Sequence, residues 1–283
     1  MGLFFLDKKY ALDAFSSKFL FCGDYVIYKD YSLPFIVGST KHDNIFHSFD
    51  TSSNNPKRAD NLKRARDTVA AYVYTNLTPH TKFMTLTTKD TVLDVKPFMR
   101  MITTFLQAMK RKGYDLDYLY VLERQKKRGE KEGNSGSLHA HFIVFNDEKI
   151  ELDVLRKCWH YGRVELKILD GLRVKDGKNS EELIRNPASY VCKYITKESV
   201  AEWNEKVFRC SKGLKKPVEI NGKGYLTDIS YTRSEECESL RNFVYEDYLP
   251  IYQTSKMARY TTDSGSKTNF IEVTVAKRKE LQK

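Results

Sequence analysis

Two histidines stand two positions apart in the segment SLHAHFIVF, at His139 and His141. In an extended strand, residues i and i+2 leave the same face, so both imidazoles can approach one metal ion. The chain has only 6 histidines, which makes this spacing uncommon by chance. Two core histidines that bond to neighbouring polar groups are the alternative interpretation. The pair is therefore a candidate part of a metal site.

A carboxylate is available as a third ligand. Glu123 ends the apolar segment that precedes the histidine segment, and an antiparallel hairpin would bring it beside the imidazoles. A mixed nitrogen and oxygen site suits Mn²⁺ or Mg²⁺ acting as a Lewis acid on a phosphate, and zinc is compatible with the same ligand types. The competing interpretation of Glu123 is an exposed residue at a strand end.

The segment RNPASYVCKYITKES carries the second chemical element. Asn186 suits an N-cap and Pro187 suits a first helical turn, which predicts a helix through about Ser199. A phenol becomes a nucleophile when its proton leaves or its oxygen pairs with a cation. A packed stripe whose lysine amines reach solvent is the alternative interpretation. The side chains that would share one face of this helix are Tyr190, Lys193, Tyr194 and Lys197.

A phosphate-polarising metal and an attacking tyrosine together predict a site that cleaves phosphodiesters. Attack by tyrosine yields a covalent phosphotyrosine, which conserves the energy of the broken bond for later rejoining. The same attack leaves a free 3′ hydroxyl that a polymerase can extend.

Hydrophobic periodicity predicts the elements that must position these residues. Helices are predicted over residues 94–112 and in a short segment that contains Leu152 and Trp159. A basic, glycine-containing loop, QKKRGEKEGNSGS, suits a long hairpin between two of the strands. The order predicts an α+β fold with a central, mainly antiparallel sheet and flanking helices. The predicted strands are FMTLTT (83–88), 118–124, 138–145 and RVELKIL (163–169).

We expect three regions in the chain. Residues 1–80 form an N-terminal accessory region, in which aromatic-rich short strands and turns precede a basic helix from Lys57 to Asn76. Residues 81–200 form the catalytic core. Residues 201–283 form a C-terminal accessory region, and its polar, basic end predicts a mobile tail.

The composition favours a polyanionic partner. A net charge of +11 and an isoelectric point near 9.2 favour nucleic acid through phosphate contacts. Five scattered cysteines indicate reduced thiols in a cytosol, and the absence of a long apolar run predicts a protein without membrane partners. The predicted DNA-binding residues lie in the basic hairpin loop and in SKGLKKP, and they are Lys126, Lys127, Arg128, Lys212, Lys215 and Lys216.

Three motifs, in this order, resemble those of HUH-superfamily rolling-circle replication initiators, the Rep endonucleases. They are FMTLTT (83–88), LHAHFIV (138–144) and YVCKYITK (190–197). The last is similar to the two-tyrosine pattern of small single-stranded DNA phage initiators, including the phiX174 gene A protein and the filamentous-phage gene II type. The resemblance covers about 120 of the 283 residues and implies an RRM-like core.

The resemblance also implies chemistry and partners. It implies a nick in single-stranded or hairpin origin DNA, with Mn²⁺ or Mg²⁺ as cofactor, and alternate attack if both tyrosines work. Because no GxxxxGK[ST] motif occurs, we expect a host helicase to unwind the DNA and a host polymerase to extend it, in the cytoplasm of a bacterium or archaeon. The implied roles are metal ligands His139, His141 and Glu123, nucleophile Tyr190 or Tyr194, and phosphate-steadying Lys193 and Lys197.

Three other functions compete with this interpretation. A conjugative relaxase usually carries its tyrosine ahead of the histidines, whereas here the histidines come first. A small HUH transposase has the same order but is normally much shorter. A non-catalytic nucleic-acid-binding protein would explain the charge and the aromatic residues, but not the histidine pair followed by a capped tyrosine and lysine segment.

Overall fold

The computed structural model describes residues 12–36, 56–124, 136–169, 173–175, 181–183, 187–195, 208–226, 231–262 and 265–279. The chain divides into two compact units. The central unit is Lys57–Lys216, and the terminal unit combines Met1–Pro56 with Pro217–Lys283. No helix in the described ranges has the length and apolar character needed to cross a bilayer.

The central unit contains a five-stranded antiparallel sheet, which confirms the predicted α+β fold class. Its strands are β3 Lys82–Leu86, β4 Tyr118–Arg124, β5 Leu138–Val144, β6 Val164–Ile168 and β9 Phe208–Cys210. Their spatial order is β6-β3-β5-β4-β9, so β6 lies at one edge. The first four match the predicted segments, whereas β9 was not predicted.

Two helices form a core with one face of this sheet. They are α2 (Val95–Arg111) and α3 (Leu152–Cys158). Phe105 lies edge-on to both Phe142 of β5 and Trp159, which follows α3. Trp159 is fully buried, and its indole N–H donates to the carbonyl oxygen of Thr87 over 2.7 Å. This packing fixes the chain where β3 ends.

Two further helices belong to the central unit. They are α1 (Pro56–Asn76) and α4 (Pro187–Cys192). The helix predicted from Pro187 to Ser199 is shorter in the structure, because the backbone turns after Cys192 with bonds from Tyr194 N to Val191 O and from Ile195 N to Cys192 O. The unit also has a small hairpin of β7 (Arg173–Lys175) and β8 (Glu181–Leu183).

The terminal unit is a six-stranded antiparallel sheet with one helix. Its strand order is β11-β10-β1-β2-β13-β12. The helix, α5 (Glu235–Asp247), begins at Ser234, whose hydroxyl accepts the backbone N–H of Cys237. Phe19, Tyr28 and Val244 belong to the core between helix and sheet. The strands are β1 Leu12–Cys22, β2 Tyr25–Ile36, β10 Val218–Leu226, β11 Tyr231–Arg233, β12 Tyr248–Thr262 and β13 Gly265–Arg278.

The terminal unit differs from the sequence-based expectations in two places. The N-terminal strands are long, with 11 residues in β1 and 12 in β2. The predicted mobile tail instead contributes to β12 and β13, which pair along their length, and β13 also pairs with β2. Ile271, Val273 and Val275 alternate along β13 and are buried, an apolar pattern that the prediction of a mobile tail did not use. The region boundaries at residues 80 and 200 stay a prediction.

Candidate metal and nucleophile site

The strand register brings the predicted metal ligands to one side of the central sheet. Glu123 is the direct cross-strand partner of His139 in the β4 and β5 pair. Leu138, Ala140 and Phe142 belong to the core with α2 and α3, so the intervening histidines face the opposite side. The predicted hairpin pairing is confirmed at these residues.

His141 is bonded through both ring nitrogens. Its Nε2 lies 2.7 Å from Oε2 of Glu123, and its Nδ1 lies 3.3 Å from the hydroxyl oxygen of Thr85 on β3. The His141 side chain is 6% exposed and that of Glu123 is 30% exposed. A carboxylate that accepts from Nε2 leaves Nδ1 of a neutral ring free to accept from the Thr85 hydroxyl. These partners fix the ring plane.

His139 is more accessible than His141 but is still partly buried. Burial lowers the pKa of its imidazole below the ordinary 6.5, and the neighbouring His141 lowers it further. The carboxylates of Glu123 and Glu165 act in the opposite direction. A lowered pKa keeps the ring neutral near pH 7, which is the form that can donate a lone pair to a metal.

Tyr194 lies directly against His141. Its ring stacks on His141 with centroids 3.8 Å apart and planes inclined by 23°. It also stacks on Phe83 of β3, at 5.6 Å and 22°. The Nζ atom of Lys193 lies 4.8 Å from the centroid of the Tyr194 ring. One predicted nucleophile and one predicted cation therefore meet the predicted metal ligands.

Helix α1 holds the segment that carries Tyr194. Arg66 donates from Nε and from Nη2 to the carbonyl oxygen of Ile195, over 3.0 and 2.6 Å. The thiol of Cys192 contacts the carbonyl oxygen of Arg66 at 3.4 Å, and burial raises the pKa of this thiol to about 12. Sequence reasoning placed this helix in an accessory region and missed Arg66, because nothing local in the sequence links residues 129 positions apart.

A cavity of about 450 Å³ opens beside these residues. It is enclosed by side chains from β3, β5 and β6 together with Tyr194. Glu165 pairs with Thr85 across β6 and β3, so it lies on the histidine face. The alternation in RVELKIL predicted a strand that contains Glu165. It did not indicate that Glu165 lines the site cavity. The lining residues are Phe83, Thr85, Thr87, Thr88, His139, His141, Arg163, Glu165, Lys167 and Tyr194.

The segment SKGLKKP, which belongs to the central unit up to Lys216, is held to α1 and β4 through its backbone. The side chain of Asn76, at the end of α1, donates to the carbonyl oxygen of Lys215 over 3.0 Å and accepts the N–H of Lys215 over 2.9 Å. Ser211 exchanges hydrogen bonds with the backbone of Tyr118. Because the backbone makes these bonds, the amines stay exposed, and the exposed lysines are Lys212, Lys215 and Lys216.

Other predicted site residues lie partly or wholly outside the described part of the chain. Tyr190 belongs to α4, but its side chain is not among the described ones. The residues that fall outside the described ranges are Lys197, Lys126, Lys127 and Arg128.

The donor chemistry fits a divalent ion that accepts both nitrogen and oxygen ligands. Glu123 and His141 are already in contact, and His139 stands across the strand pair from Glu123. A carboxylate and two imidazoles on one face are suitable ligands for Mn²⁺ or Mg²⁺. Within the described ranges no three His, Cys, Asp or Glu side chains form a ready-made metal cluster, so the three-ligand set stays a prediction.

The central α+β unit carries a histidine pair, a carboxylate and a stacked tyrosine on one sheet face. Residues 81–199 match the family of replication-associated protein ORF2/G2P. This span begins just before β3 and runs past Tyr194, so it includes the sheet residues of the site and the tyrosine. The match supports a replication initiator of the Rep type. No curated protein and no solved structure matches the chain.

Proposed function

We propose that this protein initiates DNA replication by nicking single-stranded origin DNA through a covalent 5′-phosphotyrosine intermediate. The observation that carries the proposal is the contact between Tyr194 and His141, which is also hydrogen-bonded to Glu123. The Tyr194 phenol is stacked on an imidazole that is a predicted metal ligand. A phosphate at a divalent ion held by Glu123 and the histidines would therefore be within reach of the phenol. The family match over residues 81–199 supports a role in replication.

The proposed step exchanges one phosphate ester for another. The phenol oxygen of tyrosine attacks the phosphorus, its proton leaves to water, and the bond from phosphorus to the 3′ oxygen breaks. The 3′ oxygen takes up a proton and becomes a free hydroxyl, while the 5′ phosphate stays on the tyrosine. Attack by a 3′ hydroxyl on this phosphotyrosine reverses the step and rejoins the ends.

The chain's own side chains prepare this step. The stack against His141 and Phe83 orients the Tyr194 ring, and the Lys193 cation near the ring stabilises a developing phenolate. Glu123, His139 and His141 would hold the divalent ion. When bound, Mn²⁺ or Mg²⁺ supplies Lewis-acid polarisation of the scissile phosphate.

We propose Tyr194 as the first nucleophile and Tyr190 as its partner in alternate attack, as in the two-tyrosine phage class. Tyr194 is the tyrosine with a described contact to His141. Tyr190 lies one helical turn earlier, within α4. Origin DNA in single-stranded or hairpin form is the proposed substrate, and the free 3′ hydroxyl is the product that a host polymerase would extend.

Covalent capture tests the proposal. The full chain is incubated with Mn²⁺ and a pool of labelled single-stranded oligonucleotides, then denatured and resolved for labelled protein. The variants are Tyr190→Phe, Tyr194→Phe and the double variant, with Tyr114→Phe as a matched control because Tyr114 packs against the core with α2 and not in the site.

We expect an adduct in the wild type and the control, and a loss of most of it in Tyr194→Phe. An adduct that disappears only in the double variant would support alternate attack by either tyrosine. If the wild type binds the oligonucleotides but forms no adduct with any of them, the nicking function is wrong and a non-catalytic DNA-binding protein remains.

A further inference from the structure

We infer that a groove beside the edge strand β6 binds the backbone of the single strand that flanks the cleaved phosphate. This inference rests on the proposed function, since it names the path that the substrate follows away from Tyr194. The groove is a cavity of about 1060 Å³ beside α3 and β6. Its lining residues are Thr87, Thr88, Lys89, Leu152, Arg156, His160, Gly162, Arg163, Val164, Glu165, Leu166 and Lys167.

The groove adjoins the site cavity. The two cavities share the residues at the end of β3 and along β6. A strand with its phosphate beside Tyr194 must leave the site cavity, and the shared wall offers it a direct way out. The shared residues are Thr87, Thr88, Arg163, Glu165 and Lys167.

The charge of the groove fits a polyanion. Its lining has four cationic side chains, from Lys89, Arg156, Arg163 and Lys167, against the single carboxylate of Glu165, a net formal charge of +3. Neutralisation of phosphates by such cations releases counterions and drives binding.

Two of these cationic side chains form ion pairs, but both pairs are exposed to solvent. Arg163 bonds to Glu165 over 2.9 Å and is 76% exposed, and Arg156 lies 3.4 Å from Asp153 and is 60% exposed. Exposed pairs of this kind contribute little stability, so a phosphate can replace the carboxylate as partner at small cost. Both arginines are therefore available to DNA.

The groove also has a surface for bases. The ring of His160 is exposed and lies against Tyr161, with centroids 4.0 Å apart. Tyr161 in turn meets the buried Trp159 edge-on at 5.2 Å. A cationic groove with a supported ring is the combination that binds single strands without sequence preference, because every base can stack.

The floor of the groove is fixed before DNA arrives. Thr87 N donates to the carbonyl oxygen of Arg163 over 3.0 Å, and Lys89 N donates to that of Tyr161 over 2.8 Å. Gly162 lies so close to this backbone that an added Cβ would stand 2.3 Å from the Thr87 oxygen. A preformed floor needs no ordering when DNA binds, which favours affinity.

The test measures binding apart from chemistry. In the full chain with Tyr190→Phe and Tyr194→Phe, the affinity for a labelled single-stranded oligonucleotide is measured over a range of salt concentrations. The groove variant adds Lys89→Gln and Arg156→Gln, which line the groove but not the site cavity. The control adds Arg111→Gln and Lys112→Gln, two exposed residues at the end of α2 that line neither cavity and remove the same charge.

We expect the groove variant to bind more weakly and to lower the slope of log K against log salt by about 1.4, or about 0.7 for each lost phosphate contact. Shortening the oligonucleotide on one side of the phosphate that the wild type cleaves should weaken its binding to the Tyr190→Phe and Tyr194→Phe protein. The same shortening should not weaken its binding to the groove variant. Groove and control variants with equal affinities and slopes would overturn the inference.

Covalent capture with the wild-type tyrosines separates the two proposals. An adduct in the wild type together with a groove variant that binds like the control leaves the nicking function standing and refutes the groove. No adduct together with a lowered salt slope in the groove variant refutes nicking and supports the groove as a single-strand surface.

Discussion

Tyr194 lies flat on His141, with ring centroids 3.8 Å apart, and thereby covers one face of a histidine that is also bonded to Glu123. The ring therefore packs as part of the site, whereas the proposed nucleophile is the hydroxyl oxygen of the same side chain. Packing and nucleophilicity depend on different atoms of the same side chain, so substitutions can separate them.

Tyr194→Phe should leave stability almost unchanged, because the ring stack with His141 and Phe83 survives. Tyr194→Ala should lower the free energy of unfolding by about 1 kcal/mol or more, since an aromatic pair contributes about 0.5–1.5 kcal/mol beyond its buried area. Thermal melts of the two variants check this. Equal melting temperatures would show that the stack does not contribute to stability.

Arg66→Ala should slow adduct formation about fivefold, because the two bonds from Arg66 to the Ile195 carbonyl hold the Tyr194 segment and removing them costs about 1 kcal/mol at an exposed position. Arg66→Lys should not restore the rate, since an ammonium cannot reproduce the two-point contact. The readout is single-turnover adduct formation at saturating DNA.

Arg64→Ala is the matched control for this prediction, because Arg64 is an exposed arginine on the same helix. A rate equally reduced in Arg64→Ala, or fully restored in Arg66→Lys, would show that charge and not positioning explains the effect.

Metal binding should stabilise the protein through the predicted ligands. Excess Mn²⁺, at about one hundred times its Kd, should raise the free energy of unfolding by about 2.7 kcal/mol. His139→Ala or His141→Ala should remove this increase and nicking together, and His80→Ala, an exposed histidine outside the site, should keep both.

Thermal melts with and without Mn²⁺ measure the effect independently of cleavage. An equal Mn²⁺ response in all three histidine variants, or undiminished nicking in EDTA, would contradict the ligand assignment.

Much of the central unit is predictable from the sequence because its information is local. The apolar segments 118–124 and 138–145 predicted β4 and β5, and the register of an antiparallel hairpin then placed Glu123 opposite His139. The turn after Cys192 was not predictable, because the continuing spacing of tyrosines and lysines imitates a helical face.

The contacts that complete the site are not local. Arg66 meets Ile195 and Asn76 meets Lys215 across 129 and 139 positions, and neither pair leaves a periodic signal. In the terminal unit, β13 buries Ile271, Val273 and Val275 in strict alternation, whereas its pairing partner β12 is mostly polar. The prediction of a mobile tail followed the polar, basic composition of the whole segment and passed over this local strand pattern.

Cys192 should react slowly with alkylating reagents. Burial raises the pKa of its thiol to about 12, so only about one molecule in ten thousand carries the thiolate at pH 8, and the thiolate is the reactive form. Cys210 is exposed on β9 and should react first. Mass spectrometry of partly alkylated protein measures the order.

The same reagent reports on the α1 contact. Arg66→Ala should speed alkylation of Cys192, because Cys192 packs against α1 and its thiol contacts the Arg66 carbonyl. Cys192 reacting as fast as Cys210 in the wild type would show that the Tyr194 segment is not held by α1.

Gly162→Ala should destabilise the central unit and weaken single-strand binding together. An added Cβ would stand 2.3 Å from the Thr87 oxygen and 2.7 Å from the Lys89 nitrogen, and both are backbone atoms that cannot rotate away. Overpacking of this kind costs about 1–3 kcal/mol. Gly213→Ala is the matched control, because its Cβ would meet only the movable carboxylate of Asp117.

Denaturant unfolding and oligonucleotide binding are measured on both variants. Gly162 contacts the backbone of residues 87–89, which forms the floor of the groove. These residues directly follow β3, the strand that carries Thr85, the hydrogen-bond partner of His141. A displaced floor should therefore lower the affinity for single strands in the folded protein as well as its stability. If Gly162→Ala loses stability but binds DNA like Gly213→Ala, the floor supports the fold without shaping the path of the DNA.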